Sequence, residues 1–213
     1  MKCDRKWMAL YAVTDRTWLN GRTLRGQVEA ALRGGATCVQ LREKELDRAA
    51  FLREAQEIKP VCARYGVPLI INDDVALALE CGADGVHVGQ DDADAAETRR
   101  RIGPDLLLGV SAHTVEEALR AERDGADYLG VGAVFPTGTK KDAGVLRFET
   151  LRDICAAVTI PVVAIGGVNL GNLGALAGSG VDGAAVVSAI FAAPDAEGAA
   201  RALRAAVRRE LGL

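Results

Sequence analysis

Histidines, paired cysteines, aromatic rings and excess positive charge are all scarce in this chain, and each scarcity removes a class of function. There are two histidines and five cysteines, Cys3, Cys38, Cys62, Cys81 and Cys155, odd in number and without a C-x-x-C pair. A zinc cluster has little to build on in such a set. Small buried thiols in a reducing compartment are the plain reading. Aromatic residues make up 4% of the chain and the net charge is −3. With few stacking platforms and no positive field, nucleic acid is not an expected partner. The opening "MKCDRKWMALYAVTD" is basic, but its apolar run breaks at Thr14-Asp15 and it lacks a signal-peptide core and cleavage site. The Ala-rich run "AAVVSAIFAA" is far shorter than the ~20 residues that a bilayer-spanning helix requires. A cytoplasmic protein with no membrane partner is expected.

What the chain does hold is a full core and a repeat. Its 213 residues are 49% hydrophobic and 26% charged, which fits one domain over residues 1–213. Four segments echo one another: "GGATCVQL" from Gly34, "CGADGVHV" from Cys81, "DGADYLGV" from Asp124 and "SGVDGAAV" from Ser179. Each closes an Ala/Leu-rich helical stretch with a glycine and enters a short β-prone run. Between them lie "MALYAV" (Met8–Val13), "VPLIIN" (Val67–Asn72), "LLLGVS" (Leu106–Ser111) and "IPVVAIGG" (Ile160–Gly167). Interleaved, the two sets give eight apolar strand candidates separated mostly by amphipathic stretches such as "TVEEALRAERDG". That pattern predicts an α/β protein built as a closed (β/α)8 TIM barrel. The competing open sheet is weaker, because the first strand runs into "TDRTWLNGRT" and not into G-x-G-x-x-G.

In such a barrel the chemistry sits where strands end. Strand two runs into "VQLREK", with Gln40, Arg42 and Lys44 at alternating positions. Alternate side chains of a strand share a face, so the three are expected to point inward near the mouth. Strand three ends in Asn72, Asp73 and Asp74, and strand four in Gln90, Asp91 and Asp92. Aspartate before a helix is an ordinary cap, and Asp74 and Asp91 can be read as nothing more. Two acidic pairs opposite a cationic strand also suit Mg2+, which favours carboxylate oxygens and water. Strand five brings Ser111 to the mouth; His113 reads equally well as a base or as a surface residue, and His87 as a hydrogen-bonded core histidine. The sixth strand spills into "FPTGTKKDAG", whose hydroxyls and lysines look made for an anion. Strand seven ends in Gly166-Gly167 and strand eight in Val187-Ser188, the loops where barrels commonly hold a phosphate. No nucleophile–base pair can be argued.

At these residues the chain resembles the thiamine-phosphate synthase family. The resemblance runs from "LYAVTD" through "VQLREK", "INDDVALALECGADGVHVGQDD", "LGVSAHT", "LGVGAVFPTGTKKDA" and "IPVVAIGGV" to "VVSAI". It implies a Mg2+-dependent transferase joining 4-amino-2-methyl-5-diphosphomethylpyrimidine to 4-methyl-5-(2-phosphoethyl)thiazole, releasing pyrophosphate. It further implies that Gln40, Arg42, Lys44, Asn72, Ser111 and Lys140 contact the pyrimidine diphosphate and that Asp73 and Asp92 hold Mg2+. Thr137, Thr139, Gly167, Val187 and Ser188 are implied at the thiazole phosphate. Lys140, Arg42 and Ser111 are the implied catalytic set, drawing off a leaving group in a dissociative substitution. The competing readings are a thiazole tautomerase, against which "QLREK", both acidic pairs and "TGTKK" argue, and a non-catalytic phosphate-binding barrel. A homo-oligomer is compatible with the sequence and not decided by it.

Overall fold

The computed structural model describes residues 3–90, 94–138 and 144–213. Strands β1 (Leu10–Val13), β2 (Cys38–Leu41), β3 (Leu69–Asn72), β4 (Gly85–Val88), β5 (Leu107–Ala112), β6 (Tyr128–Val131), β7 (Val162–Ile165) and β8 (Gly183–Val186) follow one another in chain order around a closed barrel. Every neighbouring pair is parallel, and β8 closes on β1 through Leu10–Ala184, Tyr11–Ala185 and Ala12–Val186. The barrel predicted from the apolar repeats is the observed architecture.

Helices α2 (Leu24–Arg33), α3 (Arg48–Arg64), α4 (Val75–Glu80), α5 (Ala95–Ile102), α6 (Val115–Arg123), α7 (Phe148–Ala157), α8 (Ser188–Phe191) and α9 (Ala196–Leu211) return the chain outside the strands, while α1 (Arg5–Met8) precedes β1. Caps fix where several of them start. The side chains of Thr23, Asp47, Asp74, Asp94, Thr114 and Asp195 each accept a hydrogen bond from the backbone N–H three residues on. A cap of this kind is worth ~1 kcal/mol. The seventh return is different. Only a short 3-10 turn, Leu173–Leu176, follows β7, because Gly171, Gly174 and Gly178 leave that segment little helical propensity.

Two apolar layers hold the barrel. The outer one lies between strands and helices, with Val39, Leu41, Ile71, Val86, Leu108 and Leu129 turned outward onto helix residues such as Val28, Ile58 and Leu203. The inner one fills the lumen with Met8, Tyr11, Cys38, Ile70, Leu107, Tyr128 and Val163. Met8 comes from α1, so the helix before the first strand packs into the lower lumen.

The repeat also has a structural job at the start of the strands. Its fourth position is Thr37, Asp84, Asp127 and Asp182. Each of those side chains accepts a backbone N–H at the start of the preceding strand: Leu10, Leu69 and Val162, the first residues of β1, β3 and β7, and Leu108, the second of β5, at 2.8–2.9 Å. Three of the four are also paired with a cation: Asp84 with Lys59, Asp127 with Arg99 and Asp182 with Arg5. An otherwise orphaned strand-end donor is thereby satisfied four times over around the rim.

Candidate active site at the mouth of the barrel

Opposite that rim, the strand ends enclose a cavity. Val13, Gln40, Arg42, Asn72, His87 and Ser111 line one side of it. Thr137, Ile165, Gly166, Gly167, Val187 and Ser188 line the other. Two differently furnished halves therefore meet in one space, side-chain amides, a guanidinium and a hydroxyl facing a wall that is largely backbone.

The side-chain half departs in one respect from the expected alternation. β2 stops at Leu41, so only Gln40 projects from the strand itself. Arg42 lies just beyond, partly buried, and Lys44 is exposed and does not line the cavity. The chain leaves the barrel there because it is held from outside. The Arg42 backbone N–H donates to Thr14 Oγ, 3.0 Å, from the fully buried end of β1. Glu43 turns under the loop to accept from Arg16 at 2.7 Å and from the amides of Lys44 and Glu45 at 2.7 and 2.8 Å. Burial pushes the Glu43 carboxyl up, but those amide bonds and the Arg16 guanidinium outweigh it and hold the group below the usual carboxylate range. Thr14 and Arg16 thus set where Arg42 sits. Nothing in the sequence pairs them, since their partners lie about 30 residues away.

The neighbouring carboxylates Asp73 and Asp74 separate cleanly. Asp74 caps α4, accepting from Leu77 N–H at 2.8 Å. Asp73 adopts φ +64, a left-handed conformation that aspartate tolerates better than most side chains, with its N–H on His87 O at 2.9 Å. Asn72, the last residue of β3, lines the cavity directly before it. Asp91, Asp92, Thr139 and Lys140 lie outside the described residues. Among the described residues no group of three or more His, Cys, Asp or Glu side chains is arranged to hold a metal. Gln90 is engaged outside the cavity, donating to Ser111 O at 2.6 Å and accepting from Arg120 at 2.9 Å.

Below the mouth, Ser111 and Gln40 are joined through the lumen. Gln40 Nε2 lies 3.0 Å from Tyr11 Oη, and Tyr11 Oη 2.7 Å from Tyr128 Oη. Tyr128 Oη is 3.1 Å from His87 Nδ1, and His87 Nε2 is 3.0 Å from Ser111 Oγ. His87 is therefore a hydrogen-bonded core histidine and a cavity residue at once. His113 also lines the cavity, exposed at its mouth and 3.2 Å from Glu117.

The backbone half is built on Gly167 and on the β8 end. Gly167 has φ +68, and a Cβ there would fall 2.4 Å from Pro136 O. The β6 loop is tied to this turn by Val134 N–H on Ile165 O and Phe135 N–H on Gly166 O, both 3.0 Å. Thr137 is thereby carried into the cavity beside the glycines. The backbone N–H groups of Gly167, Val187 and Ser188 make no hydrogen bond among the described residues. Unused donors beside a cavity are what an anionic oxygen needs.

Residues 10–190 match the family profile described as thiamine monophosphate synthase. The chain belongs to that family. A thiamine-phosphate synthase of Clostridium tetani is 51% identical over 91% of this chain and 93% of its own length. One of Chloroflexus aurantiacus is 54% identical over 93% and 92%. The solved thiamine phosphate pyrophosphorylase of Pyrococcus furiosus superposes with a TM-score of 0.90 at 40% identity, covering 98% of this chain and 99% of that one. Since the matched span runs from β1 into α8, the family includes both halves of the cavity.

Proposed function

We propose that the chain is a transferase that joins the diphosphomethyl aminopyrimidine to the phosphoethyl thiazole, forming thiamine monophosphate and pyrophosphate. One observation carries the reading: a single cavity has a guanidinium, amides and a hydroxyl on one wall and unused backbone donors on the other. Relatives about half identical to this chain are named for that product.

On this reading the aminopyrimidine and its diphosphate take the side-chain wall, contacted by Gln40, Arg42, Asn72 and Ser111, with Lys44 and Lys140 as the two further cations for the diphosphate. Arg42 offers a planar fork of donors matched to phosphate oxygens. The phosphate of the thiazole takes the other wall, against Thr137, Thr139 and the amides of Gly167, Val187 and Ser188. Asp73 and Asp92 would hold Mg2+, whose preference for hard carboxylate oxygens their side chains meet. Asp74, already spent as a cap, is not in that set. When bound, the ion supplies positive charge to diphosphate oxygens.

The chain's own residues then do two things. Arg42 and Lys140 neutralise charge as it builds on the departing pyrophosphate, and that contact strengthens along the reaction. Ser111 and Gln40 hold the pyrimidine ring so that its methylene carbon faces the thiazole nitrogen, a near-attack arrangement. The ring can delocalise the carbocation left by pyrophosphate, and the thiazole nitrogen is already nucleophilic. No general base is needed. A reducing, cytoplasmic setting fits five cysteines that are all free.

Purified chain incubated with both substrates and Mg2+ should yield thiamine monophosphate and pyrophosphate. Folded protein that yields neither overturns the proposal. A pyrimidine fluorinated so that its cation is disfavoured should turn over far more slowly; an unchanged rate would exclude the dissociative route.

A further inference from the structure

The bonds from Gln40 through Tyr11, Tyr128 and His87 to Ser111 cross the barrel from β2 to β5. We propose that they form a one-way donor relay that fixes His87 as the Nε2–H tautomer and leaves the Ser111 hydroxyl free to donate into the cavity. Tyr11, Tyr128 and His87 are then positioning residues for ring recognition. This deepens the proposed function and rests on it for the identity of the ring, but not for the direction of the relay.

The direction follows from the Gln40 end. An amide nitrogen can only donate, so Tyr11 Oη accepts there; its own hydrogen then goes to Tyr128 Oη, 2.7 Å away, an oxygen that accepts better than the Cys38 sulfur also within its reach. Tyr128 in turn gives its hydrogen to His87 Nδ1 at 3.1 Å. The imidazole proton is left on Nε2, which donates to Ser111 Oγ at 3.0 Å. Ser111 has accepted, and its hydrogen remains for a ligand. At the other end, Gln40 Oε1 makes no hydrogen bond among the described residues and is not sealed from solvent, although Gln40 as a whole is buried. The cavity is thus offered an acceptor from β2 and a donor from β5. An aminopyrimidine has the complement, an exocyclic amine to donate and ring nitrogens to accept.

Two features mark the relay as built. Burial raises both phenols well above the usual tyrosine range, so each keeps the hydrogen it must pass on. Space has also been cleared where the relay bends. Gly109 on β5 lies in register with both His87 and Tyr128. A Cβ on it would fall 2.2 Å from Tyr128 Cζ and 2.4 Å from His87 Nδ1. Any side chain at that strand position would drive the phenol and imidazole apart.

Nitrogen-15 NMR of the ligand-free wild-type protein, labelled at histidine, tests the direction. The expected spectrum has His87 Nε2 protonated and Nδ1 as a bare acceptor; an Nδ1–H form overturns the relay. Tyr11→Phe, which removes the bond that commits Tyr128 to donate, should weaken the preference for that tautomer, and Tyr128→Phe should abolish it. Wild-type His87 spectra in both variants would overturn the proposal, and the wild-type protein's own spectrum decides even if a variant does not fold. In turnover, Tyr128→Phe should raise KM for the pyrimidine diphosphate about tenfold, the scale of one hydrogen bond, with KM for the thiazole unchanged. Equal rises in both would mean a packing role and refute positioning. A wild-type chain with the Nε2–H form but no synthase turnover would sink the functional proposal and leave the relay standing. Full turnover with Nδ1–H would do the reverse.

Discussion

The two ends of the barrel are made by different rules. At the end where strands begin, one device recurs around the ring: Thr37, Asp84, Asp127 and Asp182 each satisfy an amide at the start of the strand before them. Lys59, Arg99 and Arg5 then neutralise the three aspartates. At the end where strands finish, nothing repeats. Arg42, Asn72, Ser111, Thr137 and Gly167 differ in type and backbone setting, and backbone donors at Gly167, Val187 and Ser188 are unused among the described residues. Closure needs the same bond made several times. Catalysis of one asymmetric reaction needs each strand tip to do something different, and leaves polar groups unspent for the ligand.

The comparison breaks if the two ends prove interchangeable under mutation. The largest effects belong to the mouth. Lys140→Ala and Asp73→Ala should each lower kcat by about 10²–10³, the scale of losing one group that stabilises developing charge, while the melting temperature holds. For Lys140→Ala the loss should fall on kcat and not on KM for the thiazole. Steady-state kinetics beside calorimetry check both, and wild-type turnover in the Asp73 variant would remove it from the metal site. At the opposite rim, Asp127→Ala deprives Leu108 N–H of its acceptor and Arg99 of its carboxylate, leaving the guanidinium only backbone carbonyls. It should cost about 2–3 kcal/mol in urea unfolding with kcat/KM of the folded protein unchanged.

A smaller contrast sits within one dipeptide. Asp74→Ala should cost about 1 kcal/mol of stability by uncapping α4 and leave the Mg2+ dependence of the rate alone, where Asp73→Ala does the opposite. The smallest effect is a pH dependence. The Glu43 carboxyl is held below its ordinary value in the folded chain. Its contribution to stability is therefore present above its unfolded pKa, about 4.3, and lost as pH falls through the lower folded value. Urea midpoints measured from neutral pH downward should fall less in Glu43→Gln than in wild type over that window. An identical acid limb would free the Arg42 loop from this anchor.

Much of this was legible in the residues, and the physical reasons for what was not are particular. The glycine-then-apolar repeat shows the barrel because buried parallel strands need continuous hydrophobic runs and each helix must stop before the next one. The repeat's aspartates could be seen but not explained, since the amides they bind belong to the preceding strand. Arg42 and Lys44 look equivalent by alternation, yet the strand ends before both, and Thr14 and Arg16 hold one at the cavity while the other stays exposed. Asp73 and Asp74 are indistinguishable as letters. Backbone φ and a single capping bond tell them apart.

Local chemistry along the chain was enough to determine the strand–helix alternation, the helix caps and the set of polar residues gathered at strand ends, because those depend on neighbours within a few positions. Contacts across the lumen were decided by the closed barrel alone. Tyr11 and Tyr128 meet 117 residues apart, and His87 lies between Tyr128 and Ser111, over Gly109, only after β4, β5 and β6 have come into register. Hydrogen bonds act over about 3 Å, so which distant residues come within that reach depends on closure, which no single stretch of sequence contains.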